Sequence, residues 1–100
     1  IIMRGKRLSG EEAFQIGIAC EVVEKSELEN MTNKIVKELL GVSPLAQRTI
    51  KSVLNATQNA TLHTSIDLEG EAYGRLRSSN DFKEGVKSFS EKRPPSYKGN

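Results

Sequence analysis

The sequence predicts a mainly α fold of about five short helices with at most one small strand. Serine or threonine stands just before each stretch of helical apolar spacing, where its hydroxyl can cap the first free backbone N–H groups. Glycine or proline follows several of these stretches and favours the end of a helix. The connections between the stretches are short, which leaves room for one brief strand at most.

The first helix is predicted by a serine and a glutamate three positions apart. Ser9 and Glu12 form a capping box, in which each side chain accepts a hydrogen bond from the backbone N–H of the other residue. Gly17 is expected to end this helix because glycine readily adopts the left-handed conformation. Residues 18–23 then read as a brief extended segment.

The second helix is predicted from a similar pair. Ser26 and Glu29 are interpreted as a second capping box, and Gly41 closes the helix that follows. Its apolar face comprises Leu28, Met31, Ile35 and Leu39.

The third, fourth and fifth helices are each predicted from the residue at their start. Ser43 caps the third, with Pro44 at the first helical position, where a missing N–H does no harm. Thr61 caps the fourth, and Ser79 or Asn80 caps the last. Their apolar spacing, although helical, extends to more than one side, so part of that surface is expected to meet another domain or subunit.

Composition limits the size and setting of the protein. One hundred residues, 36% of them hydrophobic, are enough for one small domain with a modest core. A net charge of +2 gives no general attraction for nucleic acid. A single cysteine excludes an internal disulfide and fits a reducing, cytoplasmic setting. No apolar run approaches the ~20 residues of a membrane span.

Catalytic and metal-binding motifs are not found, so we predict no catalytic residue and no metal ligand in this chain. His63 is interpreted as an ordinary exposed or capping residue rather than a general base. Cys20, in an apolar stretch, is expected to be a small buried hydrophobe. Glu69 falls within an apolar stripe, where a carboxylate is either paired across an interface or catalytic; pairing is favoured.

The last helix combines an aromatic stripe with many cations. Phe82, Val86 and Phe89 share one face. The cations around it are Lys83, Lys87, Lys92 and Arg93. This pattern fits an amphipathic helix with solvated lysines, or a site that stacks an aromatic ring on a base and neutralises phosphate. Two prolines must end the helix, and residues 94–100 are expected to form a polar, flexible tail.

Three segments resemble blocks of the crotonase (enoyl-CoA hydratase/isomerase) superfamily. RGKRLSGEEAFQIGIACEVVE is similar to the family pattern TGxxxxAxEAxxxGLVxxVV, and SPLAQRTIKSVLNA is similar to SPxAxxxxKxxLN. SNDFKEGVKSFSEKRPPSYKGN resembles the family ending SxDxxEGxxAFxEKRxPxFxG. The blocks stand in the family's order and spacing and cover nearly the whole chain. The resemblance identifies residues 1–100 as a single C-terminal helical domain of such a protein.

The resemblance implies a helical region that packs on a spiral core of repeated ββα units and builds a trimer, often within a hexamer. That core would precede Ile1, together with the oxyanion hole and the acidic residues of the reaction. The chain alone is therefore expected to be inactive. In the family's hydratases, a Phe and a Lys of the final segment approach CoA bound in a neighbouring subunit, and these positions match Phe89 and Lys92. Arg93 is a weaker candidate for the same phosphates.

The leading hypothesis is the C-terminal domain of an enoyl-CoA hydratase/isomerase enzyme, with hydration of a 2-enoyl-CoA favoured. The domain would contribute oligomerisation and part of the CoA site. It would bind no cofactor tightly, with an acyl-CoA thioester as substrate of the full-length parent. Its expected partners are the N-terminal core and further copies of itself, without nucleic acid or membrane. The alternative is a stand-alone helical protein-interaction module without catalytic activity. A nucleic-acid binder using the basic last helix is poorly supported at this net charge.

Overall fold

Five α-helices and two 3-10 turns form the regular structure of the protein, and the computed structural model describes all of residues 1–100. The helices are α1 (Gly10–Gln15), α2 (Leu28–Leu40), α3 (Pro44–Thr57), α4 (Leu62–Arg77) and α5 (Asn80–Ser90), and the 3-10 turns span Ile2–Arg4 and Lys25–Glu27. No strand forms, so the predicted mainly α class with five helices is confirmed. The chain divides into two units, residues 1–35 and residues 36–100.

In the first unit, α1 forms as predicted because both of its ends are satisfied locally. The Glu12 backbone N–H donates to Ser9 Oγ at 3.1 Å, and the Ser9 N–H donates to the Glu12 carboxylate at 2.9 Å. At the other end, Gly17 has a φ of 75°. The Gly17 N–H donates to Phe14 O and the Ile18 N–H donates to Ala13 O, which completes a Schellman motif.

Two further predictions for the first unit need correction. Ser26 does not act as a helix cap, because residues Lys25–Glu27 form a 3-10 turn without a side-chain capping bond and α2 begins at Leu28. The Glu27 carboxylate instead accepts a hydrogen bond from the Asn30 amide at 3.0 Å. Cys20 is exposed and not buried, since residues 18–23 form no regular element that could cover it.

In the second unit, the three predicted caps are confirmed. Ser43, Thr61 and Ser79 each accept a hydrogen bond from a backbone N–H three residues later, at 3.1–3.2 Å. Helix α4 packs against both α3 and α5. Yet Ala72 on α4 is the one apolar residue that is buried in the whole chain. None of the helices combines the length and apolar character that crossing a membrane requires.

Candidate functional site

The apolar stripe of α5 forms one side of a groove of about 520 Å³ in the second unit. We call it the aromatic groove, because four of the five aromatic residues of the chain line it. They are Tyr73, Phe82, Phe89 and Tyr97. Phe89 is 87% exposed, which makes it the most open of the four. Its ring is therefore free to contact a ligand or another polypeptide.

The turn after α5 holds Lys92 in an unusual backbone conformation. Lys92 has a φ of 52°, in the left-handed region, and is the only non-glycine residue there. Its N–H donates to Phe89 O at 3.2 Å, and the Arg93 N–H donates to Ser88 O at 3.1 Å. These two bonds make a Schellman motif, with Lys92 in the position that glycine usually takes. The motif fixes the direction in which the Lys92 side chain leaves the helix.

Arg93 is paired with two carboxylates of the chain. Its guanidinium donates to both oxygens of Glu84, at 2.6 and 3.0 Å, and its Nε donates to Glu91 at 2.6 Å. A planar guanidinium fits a carboxylate in this two-point geometry. Arg93, the weaker of the predicted phosphate ligands, therefore forms ion pairs within the chain.

The last residues of the chain are tied back along α5 by its two acidic residues. We call Asp81 and Glu84 the acidic clamp. The Ser96 N–H donates to Glu84 at 2.8 Å, and the Lys98 and Gly99 N–H groups donate to Asp81 at 2.8 and 3.1 Å. The flexibility expected of residues 94–100 stays a prediction, but these bonds oppose it.

Asp81 is the most buried charged residue of the protein, with 3% of its surface exposed. Its carboxylate accepts a further hydrogen bond from the Ser43 hydroxyl, which joins the start of α3 to α5. Its own backbone N–H donates to Asn100 O at 3.0 Å. A buried carboxylate that accepts several hydrogen bonds is stable as an anion. An apolar side chain in its place would leave these donors without an acceptor.

The hydrogen bonds of the clamp lower the pKa of both carboxyls. Burial opposes ionisation of Asp81, but the donors from Ser43 and from the chain end outweigh it and bring its pKa below the ordinary value. The Arg93 guanidinium, helped by the Ser96 N–H, lowers the pKa of Glu84 to about 2. The same contacts raise the pKa of Arg93 further above its already high value. The clamp is therefore charged at neutral pH.

Tyr97 lies close to α5 at a glycine. A Cβ atom on Gly85 would stand 3.2 Å from Tyr97 Oη, which is closer than most such contacts in proteins. Gly85 thus leaves the space into which the tyrosine ring fits. Through this contact the end of the chain supplies one wall of the aromatic groove.

The remaining sequence candidates lie apart from this groove. His63 is exposed, with its Nε2 3.6 Å from the Asp67 carboxylate one helical turn away. Glu69 is exposed, makes no ion pair, and lines a second groove of about 460 Å³ between α3 and α4. No group of three or more His, Cys, Asp or Glu side chains is arranged to hold a metal ion.

Sequence reasoning missed the acidic clamp. Neither Asp81 nor Glu84 was predicted to hold the end of the chain. The available signal was the family block SxDxxEG, in which an Asp and a Glu stand one helical turn apart. Their partners lie 9 to 18 residues further along the chain or, for Ser43, 38 residues before Asp81, beyond the reach of helical spacing.

Comparison with known proteins gives the same family over the whole chain. A family model described as enoyl-CoA hydratase/isomerase matches residues 1–100. The trans-2-decenoyl-[acyl-carrier-protein] isomerase of Streptococcus mutans is 34% identical, over 99% of this chain and 38% of its own length. The short-chain-enoyl-CoA hydratase of Clostridium acetobutylicum is 31% identical, over 93% of this chain and 36% of its own length.

A solved structure has the same fold. The crystal structure of enoyl-CoA hydratase from Bacillus anthracis matches with a TM-score of 0.92 and 33% identity, over 99% of this chain and 38% of that chain. The chain thus spans less than two fifths of the length of these relatives.

Proposed function

Because the chain belongs to the enoyl-CoA hydratase/isomerase family, we propose that it serves as the C-terminal helical part of an enzyme acting on acyl-CoA thioesters. Hydration of a 2-enoyl-CoA is the reaction we favour, since both the Clostridium relative and the Bacillus structure are named hydratases. The observation that carries the proposal is the family match over all 100 residues.

Within that function, we assign Phe89 and Lys92 to the CoA site. Phe89 presents an exposed ring, which suits stacking on adenine or contact with the pantetheine arm. Lys92 makes no ion pair within the chain, so its ammonium is free to neutralise a phosphate. A shared Schellman motif connects the two residues, so one turn presents both groups.

We also propose that the apolar faces of the second unit are covered by the catalytic core and by neighbouring subunits. Large apolar side chains stay exposed on every helix of this unit, including Leu40, Leu54, Leu62 and Val86. Water contact with so many of them is unfavourable, at roughly 25 cal/mol for each Å² left uncovered. An assembly that buries these apolar side chains would give the chain the oligomerisation role that the family resemblance implies.

The test is a chimera that supplies the rest of the enzyme. The matching C-terminal segment of the Bacillus anthracis hydratase is replaced by this chain, and hydration of a 2-enoyl-CoA is followed by loss of the conjugated thioester absorbance. We expect activity, and we expect Phe89→Ala and Lys92→Ala to raise KM without lowering kcat, because they remove binding and not chemistry. Lys83→Ala, which removes a lysine of α5, is the matched control and should leave both KM and kcat unchanged. An assembled but inactive chimera would count against the catalytic role and favour a helical interaction module.

A second candidate substrate is an acyl-carrier-protein thioester, because the Streptococcus relative is named for one. Such a thioester lacks the adenine and the 3′-phosphate of CoA. Substitution of Phe89 or Lys92 would then leave KM for the carrier-protein substrate unchanged, while KM for the CoA ester rises. A lower KM for the carrier-protein substrate than for the CoA ester in the wild-type chimera, unchanged by either substitution, would favour the carrier protein.

A further inference from the structure

The left-handed backbone conformation of Lys92 requires contacts that stabilise it. For a residue with a Cβ atom this conformation is less stable than the right-handed one, and it persists only where the surroundings enforce it. The Schellman motif at the end of α1 has the same two hydrogen bonds but uses Gly17 at the equivalent place. The α5 motif therefore lacks the residue that makes such a turn easy.

The next residue supplies the missing restraint. Arg93 follows Lys92 directly, and its guanidinium forms a two-point contact with Glu84, two turns back on α5. The Glu84 side chain is only 21% exposed, so solvent screens this pair less than an open surface pair. The Glu84 carboxylate also accepts the Ser96 N–H at 2.8 Å. One carboxylate thus fixes the chain on both sides of the two prolines.

We propose that Glu84 is a positioning residue for the Lys92 ammonium, acting through Arg93 to hold the turn after α5 in its left-handed form. Asp81 supports it from one turn earlier, through its bonds to the Lys98 and Gly99 N–H groups. This inference rests on the proposed function for its ligand, a phosphate of an acyl-CoA thioester. The effect of Glu84 on the backbone conformation of Lys92 concerns this chain alone.

The charges around Glu84 agree with that role. Arg93 is the cation in direct contact with it, and Glu91 shares the same guanidinium from the end of α5. Lys87 lies on the same helix but is directed to Glu91, 4.0 Å away. Lys92 has no carboxylate partner, so its charge is left for a ligand while its backbone is held by its neighbour.

The first experiment needs no ligand. In the isotope-labelled chain, the one-bond Cα–Hα coupling and the intraresidue HN–Hα NOE of Lys92 report a positive φ. We expect both signatures in the wild type and in the control Glu71→Gln, which removes an exposed glutamate of α4 without an ion pair. Glu84→Gln should abolish them. Arg93→Lys should abolish them too, because an ammonium keeps the charge but cannot make the two-point contact. Unchanged signatures in either variant, or their absence in the wild type, would overturn the inference.

The second experiment measures binding of coenzyme A to the Bacillus anthracis chimera carrying the same variants. Loss of one positioned ionic contact should weaken binding about tenfold for Glu84→Gln and similarly for Lys92→Ala. The double variant should bind no more weakly than Lys92→Ala, since the two residues act as one unit. Additive losses would show that Glu84 does not act through Lys92. A wild-type chimera that ignores coenzyme A would remove the CoA part of the proposed function, and the Lys92 signatures would then decide the positioning role alone.

Discussion

Replacing Lys92 by glycine should stabilise the protein, although it removes a side chain. The backbone at this position has a φ of 52° and sits at the glycine position of a Schellman motif. Left-handed backbone costs a residue with a Cβ atom about 1–2 kcal/mol, and glycine avoids that cost. Glycine gives back about 0.5–1 kcal/mol through the greater entropy of the unfolded chain. The net expectation is a gain of about 0.5–1 kcal/mol in the free energy of unfolding.

Thermal unfolding followed by circular dichroism measures this gain. For a chain of this length, about 1 kcal/mol shifts the melting temperature by about 4–8 °C, so Lys92→Gly should melt about 2–8 °C higher than the wild type. Lys92→Ala should show no such gain because alanine keeps the Cβ atom. Lys83→Gly is the matched control: it places glycine inside α5, where we expect a loss of about 0.5–1 kcal/mol. If Lys92→Gly melts at or below Lys92→Ala, the strain argument fails.

Two further predictions follow from the clamp and from the helical glycines. The folded-state pKa of Glu84, about 2, lies below its ordinary 4.5, so its ionised form stabilises the fold above about pH 4.5 and loses this effect as pH falls towards about 2. Urea unfolding should accordingly show a stability gap between wild type and Glu84→Gln at neutral pH that closes over this range. Because the pKa of Asp81 is also lowered, the gap for Asp81→Asn should likewise close at acid pH; a gap that is constant with pH would refute the assignment. Gly70→Ala should stabilise α4 by about 1 kcal/mol because a Cβ there meets open space, whereas Gly85→Ala should gain less because its Cβ would crowd Tyr97. Equal gains in thermal melts would contradict the close contact.

The helix starts could be predicted from the sequence because their hydrogen bonds are local. Ser9, Ser43, Thr61 and Ser79 each bond a backbone N–H only three residues away, so neighbouring residues contain the information. Ser26 shows the limit of this reasoning. The same spacing gave a wrong prediction there because Ser26 lies within a 3-10 turn, and α2 begins only after that turn, at Leu28.

Burial could be predicted less well, because it depends on what surrounds a residue and not on its type. Cys20 stands among apolar neighbours in the sequence but is exposed in the fold. Asp81, a residue type that is seldom fully buried, is buried because Ser43 and the chain end surround it with donors.

The sequence by itself determined the five helices, the family, and the closeness of Phe89 to Lys92, since all three depend on residues near one another in the chain. Only the tertiary structure decided what Glu84, Arg93 and Tyr97 do. Arg93 and Tyr97 lie 9 and 12 residues beyond the α5 residues that hold or border them, Glu84 and Gly85. The turn at Lys92 had to direct the chain back along α5 before those contacts could form. A hydrogen bond within one helical turn follows from local geometry, whereas a bond across a reversal of the chain exists only once the path of the whole segment is set.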